Sequence, residues 1–244
     1  VTKSTDGHLT LLDIARIEFP PADLALKDPN GLLAIGGDLS PDWLLAAYRR
    51  GIFPWYSDDQ PILWWSPSPR CVVFPDQFRI GRSLRKVLRR GTFEVTFDRA
   101  FERVIEACRA VRADAEGTWI TDEMRDAYLE MHRRGHAHSV EVWREGRLVG
   151  GLYGLALGRI FFGESMFHRE TDASKVAFVH LVRQLELWGC PLIDCQVGNP
   201  HLTSLGAVEV TREDFEGLLE AGVRQPPFPQ PWRLSWSHET AAKT

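Results

Sequence analysis

Apolar and polar positions along this chain change period in blocks, and the changes mark its elements. Ala173 to Trp188 places Val176, Val179, Val182 and Leu185 at helical spacing, and Gly189 suits a C-terminal stop. Before it, Phe161-Phe162-Gly163 reads as the end of a strand, with Glu164 and Ser165 just beyond. After it, Pro191 to Val197 is an apolar run of strand length that carries Asp194 and Gln196 inside it. Strand, helix, strand predicts a parallel pair joined by a right-handed crossover.

The preceding segment alternates with period two. Ser139 to Trp143 reads as a strand, Glu145-Gly146 as a hairpin turn, and Leu148 to Leu157 and Arg159 to Gly163 as two further strands. Three antiparallel strands leading into a helix and another strand resemble the central sheet of a GNAT-type acyltransferase. Gly150, Gly151, Gly154 and Gly158 interrupt the second strand and its exit, predicting a bulge or close backbone approach by a ligand.

Elsewhere the signals are shorter. Ser40 and Pro41 open a helix whose apolar stripe is Leu44, Leu45 and Tyr48, and Gly51 ends it. Phe53-Pro54-Trp55-Tyr56 and Leu63-Trp64-Trp65 set large aromatics in proline-rich sequence, where they serve as core anchors or cleft walls; Trp55, flanked by turn signals, is the cleft candidate. The pattern changes at Ser66-Pro67-Ser68-Pro69. The expected architecture is α+β (mixed): a small N-terminal domain over residues 1–69, then a GNAT-like domain over 70–244 with a mixed central sheet flanked by helices. Cys71 to Phe74 and Phe93 to Phe97 read as strands. Asp98 and Thr121 read as caps of helices at Arg99 to Val111 and up to Gly135, the second carrying Tyr128. Thr211 opens a last helix closing near Gly222; four prolines from Pro226 to Pro231 make an extended segment, and the final polar residues are expected to be loose.

Chemistry enters at the crossover. Residues two apart on a strand share a face, so Asp194 and Gln196 are expected to project together while Cys195 turns away. A carboxylate and an amide in an apolar strand are costly unless paired or used, and Glu164 on the neighbouring run is the natural third member. The same pattern also fits strand-end polar groups bonded to loop backbone. Cys195 as a covalent nucleophile lacks a histidine partner in the pattern, which leaves it a buried structural thiol.

Charge changes the picture in one place. The chain has 244 residues and a net charge of −4, with no global pull toward nucleic acid or membrane. Yet Gln77 to Arg90 carries hardly an acid. On a helix from Gly81, Arg82, Arg85, Lys86, Arg89 and Arg90 fall on one side and Leu84, Val87 and Leu88 on the other. That is either a solvated face or a ridge for a phosphate backbone. The four cysteines have no zinc spacing and are too sparse for a disulfide scaffold, and no signal peptide or membrane-length apolar run is present, so a cytoplasmic location with reduced thiols is expected. His132, His136 and His138 lie close together, but no cysteine or paired carboxylate completes a metal set.

Taken together, PNGLLAIGGDLSPDWLLAAYRRGIFPW, ILWWSPSPR, EGTWIT, GHAHSVEVW, GGLYG, FFGESMF, ASKVA, LIDCQV and HLTSLGA resemble the leucyl/phenylalanyl-tRNA–protein transferases, from about Ile17 to Pro231. The resemblance implies transfer of leucine or phenylalanine from aminoacyl-tRNA to the α-amine of a protein with N-terminal Arg or Lys, marking that protein for degradation. It implies Glu164, Asp194 and Gln196 as catalytic candidates, with Trp55 and Trp119 binding substrate. It puts a side-chain pocket near Leu152, Met166, Phe178 and Leu181; Tyr48, Tyr128 and Ser165 complete the substrate-binding candidates, and the Arg82 to Arg90 ridge would carry tRNA. An aminoacyl ester is already activated, so the reaction calls for no cofactor, ATP or metal. It needs a proton removed from the attacking amine, two substrates held together, and a stabilised oxyanion. Asp194, directly or through Gln196, is the candidate base, and Glu164 the partner of the aminoacyl α-ammonium. A mechanism in which the tRNA hydroxyl relays the proton stays open.

Two other classes share features. A CoA-dependent small-molecule N-acyltransferase has the same sheet, but its helix normally starts at a glycine-rich turn, and the turn before Ala173 reads HRETD. A non-catalytic RNA-binding module would use the basic helix and leave Glu164, Asp194 and Gln196 idle.

Overall fold

The computed structural model describes residues 9–113 and 119–238. The expectation for the last polar residues falls on 239–244, outside the described residues, as do Glu116, Gly117 and Thr118 of the EGTWIT motif.

Two sheets organise the chain. The first holds β1 (Thr10–Leu12), β2 (Leu32–Gly36), β3 (Phe53–Pro54) and β4 (Leu63–Trp65), in the order β1-β2-β4-β3, with α1 (Pro41–Tyr48) between β2 and β3. Trp43, Trp64 and Phe19 pack edge and face at its centre. The chain changes sheet between Trp65 and Arg70, where the proline-serine run predicted a boundary.

The second sheet has seven strands. They are β5 (Arg70–Val73), β6 (Glu94–Phe97), β7 (Ala137–Arg144), β8 (Arg147–Leu157), β9 (Ile160–His168), β10 (Leu192–Asp194) and β11 (Val208–Val210), in the order β11-β5-β10-β9-β8-β7-β6. The β6 to β9 pairings are antiparallel, and β10 joins β9 in parallel through α5 (Ala173–Leu187), the predicted crossover. The architecture is mixed α and β. α3 (Phe101–Ala113) and α4 (Asp122–Arg133) cover one face together with the first sheet, and one apolar core runs through both. α5 and α2 (Arg82–Arg90) cover the other, joined by the proline-rich tail, whose Phe228, Trp232 and Trp236 are buried among Phe97, Phe161 and Trp188. α6 (Pro200–Ser204) and α7 (Arg212–Val223) follow β10 and β11. No helix among the described residues is long and apolar enough to cross a membrane.

Three local expectations are corrected. β9 does not end at Gly163: it runs to His168, because residues beyond Gly163 still pair with β8. Asp98 does not cap α3; its carboxylate takes the Ser139 N–H at 2.9 Å and His138 Nδ1 at 2.7 Å. The buried Glu141 accepts from the N–H groups of Arg99 and Ala100, just ahead of α3, at 3.3 and 3.2 Å. Of the two expectations for the β8 glycines, the bulge holds, with the register shifting at Gly154 and beside Gly150, while the close approach is by the protein's own atoms and not a ligand. A Cβ on Gly154 would lie 2.1 Å from the Phe162 carbonyl oxygen, and one on Gly150 2.5 Å from Ala173, where α5 begins. Two of the clustered histidines have separate partners: His132 bonds the Ala137 carbonyl, and His138 bonds Asp98 while stacking on Trp232.

Candidate active site

The site exists because two parallel strands have unequal lengths. β10 pairs with β9 from Leu192 opposite Ile160 to Asp194 opposite Phe162, then stops. β9 continues to His168, so the sheet splits. The gap is an open cleft of about 670 Å³, floored by Gly163 to His168 on one side and Cys195 to Asn199 on the other. Phe53, Pro54, Trp55, Trp119 and Phe178 wall it.

Glu164 sits at a break in register. Tyr153 faces Ser165 and Gly154 faces Gly163, leaving Glu164 without a partner on β8. That is a bulge, and a bulge re-aims a side chain. The Glu164 carboxylate meets two tyrosines from separate helices: Tyr48 on α1 donates to Oε1 at 2.7 Å, and Tyr128 on α4 donates to Oε2 at 3.0 Å. The two hydroxyls are themselves 2.5 Å apart. Three short contacts need three protons, and with Glu164 ionised the tyrosines supply two. A proton on Glu164, donated to one tyrosine, lets that tyrosine turn its O–H to the other and completes the ring of hydrogen bonds. Burial, the largest influence, raises this carboxyl from its ordinary 4.5 to about 7, against the two tyrosine bonds, which lower it. Burial, then the Glu164 charge, pushes both phenols well above 10.

On the facing strand the expected geometry is corrected. Asp194 and Gln196 do not project together, because β10 ends at Asp194 and Gln196 takes a left-handed φ of 55°. Asp194 is absent from the cleft lining. It is fully buried, and Arg70 grips both its oxygens, Nε to Oδ1 at 2.8 Å and Nη2 to Oδ2 at 2.7 Å. The Gln196 N–H adds a third bond to Oδ1 at 2.9 Å. Gln196 does line the cleft, and its Nε2 donates to Glu164 Oε1 at 3.3 Å. The four polar groups therefore form one chain, Arg70–Asp194–Gln196–Glu164, with the last two open to a bound molecule. Cys195 is 8% exposed and also lines the cleft, so it does not turn wholly away.

Of the other candidates, Trp55, Trp119, Ser165, Met166 and Phe178 line the cleft. Trp55 is 46% exposed and tilts against Trp65, whose ring is 5.5 Å away. Tyr48 and Tyr128 stand behind Glu164, fully buried. Leu152 and Leu181 are corrected: both are buried in the core and neither borders the cleft, since Leu152 on β8 lies one strand inward, opposite Met166. Arg82, Arg85, Lys86, Arg89 and Arg90 occupy the exposed side of α2, as the pattern predicted, while Leu84 is buried toward α5.

Sequence reasoning did not single out Arg70. The available signal was symmetrical with that of Asp194: a lone charge at the head of an apolar strand, RCVV, that has to find a partner. Glu209 on β11 was also passed over. Its Oε1 stands 3.3 Å from where a Cβ on Gly198, a cleft residue, would be.

The chain is similar to known proteins along most of its length. Residues 72–220 match the family model described as leucyl/phenylalanyl-tRNA protein transferase, and residues 37–68 match the model of that family's N-terminal domain. A leucyl/phenylalanyl-tRNA–protein transferase of Azoarcus sp. (strain BH72) is 62% identical over 228 residues, which is 93% of this chain and 95% of the relative. One from Cellvibrio japonicus (strain Ueda107) is 58% identical over the same shares. Among solved structures, a GCN5-related N-acetyltransferase from Kribbella flavida aligns at a TM-score of 0.37 and 14% identity, covering 70% of this chain and 61% of that one.

Proposed function

The chain belongs to the leucyl/phenylalanyl-tRNA–protein transferase family, and from that membership we propose how its cleft moves an aminoacyl group. It is an aminoacyltransferase that takes leucine or phenylalanine from tRNA. The acceptor is the α-amine of a protein beginning with Arg or Lys, and the added residue marks that protein for degradation in the cytoplasm.

The observation that carries the reading is the 3.3 Å contact between Gln196 Nε2 and Glu164 Oε1 at the floor of a cleft walled by Met166 and Phe178. Apolar walls take the leucyl or phenylalanyl side chain. Glu164, within reach of the same space, holds the α-ammonium of the aminoacyl group and so orients the ester. The Gln196 amide, with its N–H side on Glu164, presents its carbonyl oxygen to an N–H of the incoming amine. That leaves the amine lone pair aimed at the ester carbon, a gain of position and not of charge.

In the reaction the amine nitrogen bonds the carbonyl carbon and the carbon–oxygen bond to the ribose breaks. The amine loses one proton and the departing ribose oxygen gains one, so the protein need store none. Asp194, with three donors already on its oxygens, serves as a positioning residue: it holds the Gln196 backbone and acts through it. The direct-base role would require Asp194 to abandon Arg70 or Gln196.

The test offers the protein leucyl- or phenylalanyl-tRNA, and separately acetyl-CoA, with a peptide beginning with Arg. Transfer from the charged tRNA alone is expected. Transfer from acetyl-CoA alone would overturn the reading.

A further inference from the structure

Cys71 and Cys195 lie opposite each other on the antiparallel strands beside the cleft. The register sets Ile193 against Val73 and Asp194 against Val72, and the next step sets Cys195 against Cys71. The Cys195 N–H donates to the Cys71 carbonyl at 2.9 Å, and the Cys71 N–H reaches past it to the Gln196 carbonyl at 3.1 Å, so Cys195 and Gln196 together oppose Cys71 as at a bulge. Antiparallel neighbours lie about 4.5–5.5 Å apart at Cα, within the roughly 4.4–6.8 Å that a disulfide spans. The two thiols act on each other's acidity. Both are buried, at 3% and 8% exposure, and Cys195 borders the cleft, which gives a small solute a route to the pair.

The two sulfurs differ in acidity. The contact with Cys195, the largest influence, pulls the Cys71 thiol below its ordinary value, and the same contact followed by burial holds Cys195 well above it. The lowered thiol is the one that attacks first, and its neighbour resolves. By contrast, burial pushes the Cys190 thiol up to about 12, and it donates to the Leu192 carbonyl at 3.1 Å.

We propose that Cys71 and Cys195 form a modification site, a dithiol that a hydroperoxide admitted through the cleft converts into a cross-strand disulfide, reversibly stopping transfer. The Cys71 thiolate attacks the peroxide oxygen, the O–O bond breaks, and an alcohol (water, for hydrogen peroxide) departs with a proton. Cys195 then attacks the Cys71 sulfenic acid, the S–S bond forms, and water leaves. Two thiols and one peroxide give one disulfide, one alcohol and one water. The stop itself rests on the reading of the cleft as the transfer site. A disulfide draws two sulfurs to about 2.05 Å, which moves Cys195, the residue between Asp194 and Gln196. A displacement near 1 Å at a positioned group costs on the order of 10²-fold in rate.

The test treats the reduced full chain with hydrogen peroxide. Free thiols are expected to fall from the four present as one pair is lost, peptide mapping to join Cys71 to Cys195, and the transfer rate to drop on the order of 10²-fold and return with dithiothreitol. Cys71→Ala and Cys71→Val, two variants of different size at a strand position, should keep the basal rate and hold it through the same peroxide dose. An unchanged thiol count, a bond mapped to other cysteines, a disulfide that leaves the rate intact, or a rate loss that persists in both Cys71 variants would each overturn the proposal. Thiol count and mapping need no transfer, so failure of the transfer reading would appear separately, as a reduced protein without activity.

Discussion

Arg70 and Asp194, 124 positions apart in sequence, are joined through two parallel hydrogen bonds, and neither side chain is more than 2% exposed. The guanidinium lies between the rings of Phe53 and Phe215, at 4.9 and 4.6 Å from their centroids. One pair thus ties the first sheet, α7 and the loop carrying Gln196. Removing one member leaves the other charge buried and unpaired, a loss of about 3–5 kcal/mol. Arg70→Met is therefore expected to lower unfolding stability by that amount in urea titrations near neutral pH, and a loss under about 1 kcal/mol would contradict the pairing.

If Asp194 acts through Gln196, their effects on transfer overlap. Asp194→Asn and Gln196→Ala should each slow turnover, and the double variant should be little slower than the worse single one. Single-turnover rates at saturating substrates decide it. Fully additive losses would mean that Asp194 reaches the substrate independently.

Glu164 carries the pH dependence of the site. Its folded carboxyl is raised from 4.5 to about 7, so the folded protein binds this proton more tightly than the unfolded chain. The contribution to stability is full below about pH 4.5 and is lost as pH rises through 7. The span corresponds to roughly 3 kcal/mol at 1.36 per unit. The charged and titratable groups facing it are Tyr48, Tyr128, Asp194 and Arg70, and burial holds both phenols well above 10. Comparing Glu164→Gln with the parent cancels other titrations: the stability difference should swing toward the variant between about pH 5 and pH 8. Tyr48→Phe deletes a bond that lowers the Glu164 carboxyl, so the acid limb of the transfer profile should move to higher pH. A limb that stays in place would remove Tyr48 from the network.

Much of this arrangement was readable in advance, and the failures have a common cause. The Glu145-Gly146 turn, with φ of 51° and 72°, fixes the β7–β8 hairpin, and its sequence said so locally. The α5 crossover and the amphipathic α2 were likewise written in a few adjacent residues. Glu164 was chosen correctly as a neighbour of Gln196, but its position in mid-strand was missed, since a bulge depends on the partner strand. Asp194 reads from sequence as a cleft carboxylate because its partner, Arg70, lies on a distant strand. Leu152 and Leu181 have the same apolar character as Met166 and Phe178; only the splitting of β9 from β10 decides which of them meets open space.

That splitting leaves Met166 and Phe178 on the cleft, where the proposed function has them select the side chain. Met166→Phe should narrow the cleft and reject phenylalanyl more than leucyl transfer, shifting the ratio of kcat/KM values by about 10-fold or more. Leu152→Ala should cost about 2–5 kcal/mol in stability while leaving that ratio unchanged. Competition between the two charged tRNAs measures the first effect, and thermal or urea unfolding the second.

Glu209 offers the negative charge that an N-terminal Arg or Lys side chain would seek, since Arg70 already neutralises Asp194. It is exposed at the cleft rim beside Gly198. Glu209→Gln is expected to raise KM for a peptide beginning with Arg several-fold, and to leave KM for the charged tRNA unchanged. Equal shifts in both constants would point to a general disturbance of the rim.

The exposed cations of α2 should be separable from the helix's packing, because Leu84 is buried and Val87 and Leu88 are half-buried while Arg82, Arg85, Lys86, Arg89 and Arg90 face outward. Each phosphate contact that a cation makes adds about 0.9 to the slope of log affinity against log salt for a duplex, and about 0.7 for a single strand. Replacing Arg85 and Arg89 by Gln should therefore weaken tRNA binding at low salt and reduce that slope by roughly one to two. Helix content should be preserved, since Gln is a good helix former. The same substitutions should leave transfer from a short aminoacyl-nucleoside unaffected, because such a donor has no backbone to reach α2. A slope unchanged from the parent would place the tRNA on another face of the molecule.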